Sequence, residues 1–380
     1  MGFAETALWE KAFKSSANDS QKKAKSRLEF ALLGMREKVE SLVTFIPADC
    51  KGLTIHDISH LDAIWEIADE IVGPDWELNP AEAFVFGAAV LVHDAGLTTI
   101  AYPDGLPGLK RTPQWQDNYA SRALDQVTPG REGGQGTAHE ALEREVTFAV
   151  LRELHAGRAL ELVTQEWKLP NGSTVVLLDD SELRTAFGEC IGRVAHSHHM
   201  DIEVVAAKLE RKMGGSISLP SAWTVNEQKL ACLLRCADAA QVDRTRAPSL
   251  IMAASAPSGV SALHWTAQNK LNRPVRKRDA ILFSSGSAYL AVDAGAWWIA
   301  YDLAGVLDRE LRNSNELLDE ISCQQFEAQK VVGAGSPKVF ARAVKTDGWR
   351  PLDASVRVSD PIKLAASLGG RHLYGTCQRL

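Results

Sequence analysis

The chain has 380 residues, of which 45% are hydrophobic and 24% are charged, and its formal net charge is −6. This composition is typical of a folded globular protein and excludes a disordered or fibrous one. The negative net charge gives no general attraction to nucleic acid or anionic lipid, so neither partner is required, although a local basic patch is compatible with it.

Apolar residues recur at helical spacing through most of the first 245 residues. Helices are predicted at about residues 26–43, 55–71, 81–93, 137–163, 180–198, 202–213 and 225–241. Thr137, followed three residues later by Glu140, predicts a capping box at the start of the fourth helix. The Pro/Gly-rich stretch 96–136 predicts a long loop that is functional or mobile. Together these elements predict a helical core over residues 28–247.

Departures from this periodicity predict the remaining elements. Asn171-Gly172 stands between two β-rich runs and predicts a short hairpin inserted at about 163–178. A β-rich insertion is predicted over 248–291, followed by a helix over 292–322 that returns to the core and by a small α+β lobe over 323–380. The strand candidates lie at 249–253, 262–266, 280–283, 338–344 and 356–358, and a last helix candidate at 361–368. The predicted fold class is mainly α, a helical bundle with a small α+β C-terminal lobe.

The cysteines indicate a reducing compartment, because they form no CxxC pair and no dense framework of the disulfide or zinc-ribbon kind. They are Cys50, Cys190, Cys232, Cys236, Cys323 and Cys377. The start of the chain lacks a basic segment followed by an apolar one, and Asp293 and Asp302 interrupt the apolar stretch near 291–307. We therefore expect a cytoplasmic protein without a membrane span.

The strongest local signal is the pair His93-Asp94, which ends the apolar run 90–92. An imidazole nitrogen and a carboxylate oxygen are both ligands of divalent metals, and adjacent side chains at a helix end can reach one ion. Taken alone, the dipeptide is a weak signal because it often occurs by chance.

Two other places in the chain offer partners for this pair. His56 and His60 have the i, i+4 spacing that puts them on one face of a predicted helix. Asp238 stands in the apolar helix 225–241, where an unpaired buried carboxylate is costly unless a metal or a cation compensates it. Asp238 is therefore expected to have such a partner.

In this order and helical context the residues resemble the HD superfamily of metal-dependent phosphohydrolases. The resemblance implies four metal ligands, His60, His93, Asp94 and Asp238. Two-metal relatives, including the HD-GYP cyclic-dinucleotide phosphodiesterases, carry further histidines before the last aspartate, and this chain offers His155 and the cluster His196-Ser197-His198-His199. The implied cofactor is one or two divalent metal ions, with Mn, Fe, Mg, Zn, Ni and Co as candidates.

Within the histidine cluster, the resemblance favours His198 as a ligand beside His155. His196 and His199 share a helix face, while His198 lies about 100° from His199, so all three cannot enter one site. His199 is expected to line the pocket and His196 to cover the helix surface.

The predicted catalytic residues are Asp94, His199 and His56. His56 is expected to face the substrate or to support a ligand, with Asp57 orienting it or accepting a hydrogen bond from a ligand histidine. The relatives have a glycine where this chain has Asp57, so the role of that position departs from the family's pattern. His139, in the first turn of its helix, is expected to be structural.

A closer resemblance covers nearly the whole chain. The similar proteins are the HD-CE domains found ahead of chaperone-type, histidine-kinase-like ATPase domains in bacterial conflict proteins. The resemblance rests on the runs 54–60, 152–155, 296–302, 307–312, 348–351 and 369–375. It implies an ATPase domain or partner, and it implies a role in bacterial defence by association alone.

The sequence thus predicts a metal-dependent phosphohydrolase or phosphodiesterase, in which a metal-activated hydroxide attacks the phosphorus of a substrate. A nucleotide or signalling nucleotide is the substrate class that the resemblance implies. An alternative is a non-catalytic module that senses a nucleotide or a metal and signals to an ATPase partner. A third hypothesis, a helical scaffold with accidental histidines, predicts no bound metal.

Overall fold

A computed structural model of the protein describes residues 2–15, 19–125, 135–214 and 218–352. Of the structure, 63% is helical and 5% is strand, which confirms the predicted mainly-α fold with a small α+β part. The helices are α1 (Ala7–Trp9), α2 (Asp19–Val43), α3 (Ile46–Asp49), α4 (Ile58–Val72), α5 (Pro80–Val92), α6 (Gly105–Lys110), α7 (Pro113–Asp125), α8 (Gln135–Leu162), α9 (Ser181–His196), α10 (Ile202–Lys208), α11 (Glu227–Ala240), α12 (Ser249–Ser255), α13 (Gly259–Lys270), α14 (Ala294–Glu320) and α15 (Pro337–Phe340). The strands are β1 (Trp167–Lys168), β2 (Thr174–Val175), β3 (Val275–Lys277), β4 (Ala280–Leu282) and β5 (Lys330–Val331).

Helix α5 is the centre of the bundle. It begins with a capping box, in which the Asn79 side-chain oxygen accepts hydrogen bonds from the backbone N–H groups of Ala81 (3.0 Å) and Glu82 (3.1 Å). All 13 residues of α5 are buried, and α2, α4, α9 and α11 pack around it. The helical stretch Pro80–Leu97 is apolar and long enough to cross a membrane, but it is 100% buried inside the protein, as in a core helix. A core helix therefore positions the His93-Asp94 pair at its end.

Helix α4 begins later than the sequence pattern predicts. Asp57 is its N-cap, because Oδ1 accepts hydrogen bonds from the backbone N–H (2.8 Å) and the hydroxyl (2.5 Å) of Ser59. His56 therefore precedes the helix, and the prediction that His56 and His60 share a helix face is wrong. Among the described residues, the Asp57 carboxylate hydrogen-bonds to Ser59 and to no histidine, so its expected role of orienting one is wrong as well.

The stretch predicted as a long loop, 96–136, is largely helical where the structure describes it. Helices α6 and α7 occupy it, and α7 packs along α8. The Trp115 ring stacks on Tyr119 with 4.9 Å between centroids. Gly105 and Pro113 thus begin two short helices, and α7 buries the aromatic side chain of Trp115. Helix α8 begins at Gln135, so Thr137 lies inside it and the predicted capping box is wrong; residues 126–134 lie outside the described residues.

Strands are fewer than the sequence predicts. β1 and β2 form an antiparallel hairpin within the stretch 163–178. The predicted β-rich insertion is wrong in its first half, because α12 and α13 replace the strand candidates 249–253 and 262–266. Trp265 and Gln268 of α13 are buried and the helix packs along α14, so packing overrides the mixed local propensity. The third candidate contains β4, which pairs antiparallel with β3 and parallel with β5.

Helix α14 returns to the bundle and packs along α11. The indole N–H of the buried Trp297, in its first turn, donates a hydrogen bond to the Val344 carbonyl at 2.9 Å and so fixes the following segment. The strand candidate 338–344 is wrong, because α15 occupies its start, with Pro337 at the first helical position. The candidates 356–358 and 361–368 lie outside the described residues.

Candidate metal centre

Three helices bring four of the sequence-predicted ligands to one point in the core. His60 lies in the first turn of α4, His93 and Asp94 follow the end of α5, and Asp238 lies in the last turn of α11. Each residue offers one ligand atom, and the four atoms lie within 4.8 Å of one another. The side chains of His60 and His93 are fully buried, whereas 29% of the Asp238 side chain is exposed. We call these four residues the first ligand set.

A second group of histidines lies beside the first. His155 comes from α8, and His198 and His199 come from the 3-10 turn Ser197–His199 that follows α9. Their ligand atoms also lie within 4.8 Å of one another, and the Nε2 atoms of His155 and His198 are 3.3 Å apart. His199 is the exposed member. We call these three residues the second ligand set; His196, the last residue of α9, is not part of it.

Asp94 joins the two sets because its two carboxylate oxygens face different histidines. Oδ2 lies 3.5 Å from Nε2 of His60 and 3.3 Å from Nε2 of His93. Oδ1 lies 3.5 Å from Nε2 of His155 and 3.9 Å from Nε2 of His198. The Asp94 carboxylate therefore presents one oxygen to the first ligand set and the other oxygen to the second.

Each buried histidine of the two sets is held through its Nδ1 atom. In His93, His155 and His198, Nδ1 donates a hydrogen bond to the backbone carbonyl three residues earlier, at 2.8, 2.8 and 2.6 Å. In His60, Nδ1 donates to Oε1 of Gln241 at 2.8 Å. A carbonyl oxygen can only accept, so Nδ1 carries the proton in His93, His155 and His198, and Nε2 of each of these rings faces Asp94. This is the tautomer that a metal-ligating histidine needs.

The charges at the first set are arranged to attract a cation. Burial alone would lower the pKa of His93, but the negative charges of Asp94 and Asp238 outweigh burial and raise it well above its ordinary value. Burial would raise the pKa values of both carboxyls, yet His93 holds them well below their usual range. The two carboxylates thus draw one positive charge, a proton or a metal ion, to this point.

The donor set fits a divalent metal. Nε2 of His93 is buried and makes no hydrogen bond of normal geometry with the described residues, although Oδ2 of Asp94 (3.3 Å) and Oδ1 of Asp238 (3.6 Å) lie close to it. In the second set, burial lowers the pKa of His198 to about 3, so its ring is neutral at physiological pH and can act as a ligand. Imidazole nitrogens with carboxylate oxygens suit borderline divalent ions such as Zn, Fe, Ni, Co and Mn.

Two residues that the sequence pattern did not single out hold the second set in place. A Cβ atom at Gly96 would lie 2.6 Å from the carbonyl oxygen of His155, so only glycine allows this turn to approach α8 so closely. Arg235 of α11 donates to the carbonyl oxygens of Ser197 (2.6 Å) and Met200, on either side of His198 and His199. Its guanidinium also pairs with Glu310 of α14 at 2.9 Å.

A cavity of about 740 Å³ opens onto both ligand sets. Asp94, Asp238 and His199 lie in its polar wall, and Phe148 and Leu303 lie in its apolar wall. This volume falls within the range of small-molecule binding sites. His199 is thus placed where the sequence predicts it, in the lining of the pocket.

Arg246 lines the same cavity and contacts His56. Its Nη2 donates to Nε2 of His56 at 2.6 Å, while Nδ1 of His56 donates to the Thr54 carbonyl at 2.5 Å. Its Nη1 donates to Oε1 of Gln241 at 3.2 Å and lies 2.7 Å from Nδ1 and 3.1 Å from Nε2 of His60. Burial and the charge of Arg246 hold the pKa of His56 well below its ordinary value, so this ring is neutral. No sequence signal marks Arg246, because it lies in a turn without periodicity and His56 is 190 residues away.

His139 and the cysteines of α11 have structural surroundings. His139 is 57% exposed, and its Nδ1 lies 2.9 Å from the hydroxyl of Tyr119. Cys232 and Cys236 are buried, and the Cys236 thiol hydrogen-bonds to the hydroxyl of Ser314 at 3.3 Å. None of the three belongs to either ligand set.

The family model HD-CE matches residues 48–313, which include every member of the two ligand sets as well as His56 and Arg246. No curated protein and no solved structure matches the chain.

Proposed function

The chain belongs to the HD-CE family of the HD superfamily, and from this premise we propose that it is a metal-dependent phosphohydrolase or phosphodiesterase. The proposed substrate is a phosphoester of a nucleotide or signalling nucleotide, the class implied by the resemblance to HD phosphohydrolases. The proposal also includes a link to a chaperone-type ATPase domain or partner, which the HD-CE resemblance implies.

The observation that carries the proposal is the position of Asp94 between two sets of histidine nitrogens. The first set would hold one ion through His60, His93, Asp94 and Asp238, and Asp94, His155 and His198 would hold the other. Two ligand atoms that are each about 2.1 Å from one ion are about 3–4 Å apart. The distances of 3.3–3.9 Å from the Asp94 oxygens to the four Nε2 atoms agree with this spacing.

A paired divalent centre supplies Lewis-acid stabilisation of phosphoryl charge and makes a nucleophile available at neutral pH. The protein's own side chains bind and orient the substrate. Burial lowers the pKa of His199, which lines the cavity, so its ring is unprotonated and can accept a proton beside the reacting group. His56 has both ring nitrogens occupied by Thr54 and Arg246, which supports a positioning role for it and argues against proton transfer.

The experiment compares metal content and hydrolysis in wild type, Asp94→Asn and His139→Gln. We expect up to two transition-metal ions per wild-type chain and Mn²⁺-stimulated cleavage of bis(p-nitrophenyl) phosphate or of a member of a nucleotide panel. Asp94→Asn should lose both ions and the cleavage, because Asp94 is proposed to contribute a charged oxygen to each of the two ion sites. His139→Gln, which changes an exposed histidine outside both sets, should match wild type.

Two results would overturn the proposal. If the wild type binds no metal after reconstitution with Mn, Fe, Zn, Ni or Co, the result would support the hypothesis of a helical scaffold with accidental histidines. A metal-loaded wild type that cleaves none of the substrates would point to the non-catalytic sensing module instead.

A further inference from the structure

The two buried arginines of the described residues differ in their partners. Arg235 and Arg246 are each 7% exposed. The guanidinium of Arg235 pairs with Glu310 at 2.9 Å. No carboxylate oxygen of the described residues lies within 4.0 Å of Arg246, whose side-chain contacts go to His56, His60 and Gln241. Burial lowers the pKa of Arg246 although the charges of Asp238 and Asp94 act on it from a greater distance, so the guanidinium is buried without a direct ion-pair partner.

The hydrogen-bonding capacity of Arg246 is also only partly used. A guanidinium has five N–H donors. The contacts within the described protein involve only the terminal nitrogens Nη1 and Nη2, and Nε has no partner. Arg246 lines the cavity that opens onto Asp94 and Asp238. An oxyanion in this cavity would provide both the missing charge and further acceptors.

We propose that Arg246 is an anion-binding residue, which holds a phosphate oxygen of the ligand beside the two ligand sets. The proposal rests on the proposed function, because a phosphoester supplies that oxygen. Under that function the same wall would also hold divalent cations, and the oxygens of a tetrahedral phosphate could face both the cations and the guanidinium. His56 then positions Arg246, since its neutral ring accepts from Nη2 and leaves the positive charge for the anion.

A purely structural role for Arg246 makes a different prediction. Its Nη1 lies close to Gln241 and to His60, a member of the first ligand set. If Arg246 only supports the structure, its substitution should therefore lower metal content and stability. An anion-binding residue acts on phosphate affinity while metal content is retained. The exposed Arg244, two residues earlier, lines a different cleft and offers a matched control.

The test is calorimetric titration of inorganic phosphate into metal-reconstituted wild type, Arg246→Gln, Arg246→Lys and Arg244→Gln, with metal content measured on each sample. We expect Arg246→Gln to keep its metal and to bind phosphate about 10- to 100-fold more weakly, the value of a charge-assisted hydrogen bond. Arg246→Lys should recover part of the affinity, and Arg244→Gln should match wild type. Equal phosphate affinity in metal-loaded Arg246→Gln and wild type would overturn the proposal.

A second measurement tests the proposal if the Arg246 variants fail to fold or to retain metal. A crystal structure of metal-loaded wild type with phosphate should place a phosphate oxygen within hydrogen-bonding distance of Arg246; an anion that leaves Arg246 uncontacted, or no anion, would overturn the proposal. The proposed catalytic function can fail independently of this proposal. A wild type that binds phosphate at Arg246 but hydrolyses no substrate would refute catalysis and would still support the anion-binding role of Arg246.

Discussion

Asp94 faces both ligand sets, but the fold holds the two sets by different means. The first set comes from the ends of three helices that meet in the core, and its histidines are completely buried. In the second set only His155 comes from a long helix, while His198 and His199 lie in a three-residue 3-10 turn. Packing of the whole core therefore fixes the first set, and a few individual contacts fix the second. Substitutions of the residues that make those contacts should therefore weaken metal binding at one ion site and leave it unchanged at the other.

Arg235→Met is expected to produce the largest difference in metal binding between the two ion sites. The change removes the hydrogen bonds to the carbonyls around His198 and leaves Glu310 without its partner. We expect about 3 kcal/mol lower stability to urea unfolding, because breaking a buried ion pair is costly. Metal analysis should find the second ion lost and the first retained.

The double variant Arg235→Met/Glu310→Met distinguishes the effect of the ion pair on stability from the effect of the hydrogen bonds that Arg235 donates to the turn. Replacing both charges by apolar side chains should restore much of the stability. It should not restore the second ion, since the carbonyls of Ser197 and Met200 still lack their donor. A double variant with both ions bound would show that Arg235 does not position the turn.

A smaller effect on the same set is expected from Gly96→Ala. The added Cβ would meet backbone atoms of His155 at 2.6 and 2.8 Å, so the turn and α8 must move apart. Competition with a fluorescent chelator should show weaker binding of the second ion and little change in the first. Gly157→Ala is the matched control, because a Cβ there meets nothing within 4 Å and alanine favours the helix by up to about 1 kcal/mol. Equal metal affinities in the two variants would contradict this account of Gly96.

The smallest effect should appear in the first set on Gln241→Leu. His60 loses the acceptor that fixes its Nδ1 proton, and such supporting contacts are worth about 10- to 100-fold in metal affinity. Because the core still holds the His60 ring, we expect the lower end of that range, about tenfold. The second ion is the internal control, and an equal loss of both ions would show that the two sets are not independent.

The ligand candidates named from the sequence lie close together in the structure, although several elements around them differ from the predicted ones. His60, His93, Asp94 and Asp238 meet in one cluster, and His155 and His198 in the neighbouring one. The His60 prediction rested partly on a shared helix face with His56, which is wrong; the rings are neighbours because the segment before α4 folds against it, with 5.7 Å between centroids. The metal-binding and catalytic roles of these residues stay predictions until the experiments above are done.

Element prediction failed where local propensity was mixed. Residues 249–253 and 262–266 contain both strand and helix formers, and only burial of Trp265 against the bundle selects the helix α13. In 96–136, the prolines and glycines predict a loop, yet Gly105 and Pro113 are the first residues of the short helices α6 and α7.

The sequence by itself determined the helical class, through apolar periodicity, and the ligand candidates, through residue chemistry and a family resemblance. Only the tertiary structure decided which oxygen of Asp94 faces which histidines, and that Arg235 and Arg246 belong to the site. Periodicity and motifs report on neighbours within a few residues. The hydrogen bond between Arg246 and His56 joins residues 190 positions apart, and such contacts exist only after the helices have packed.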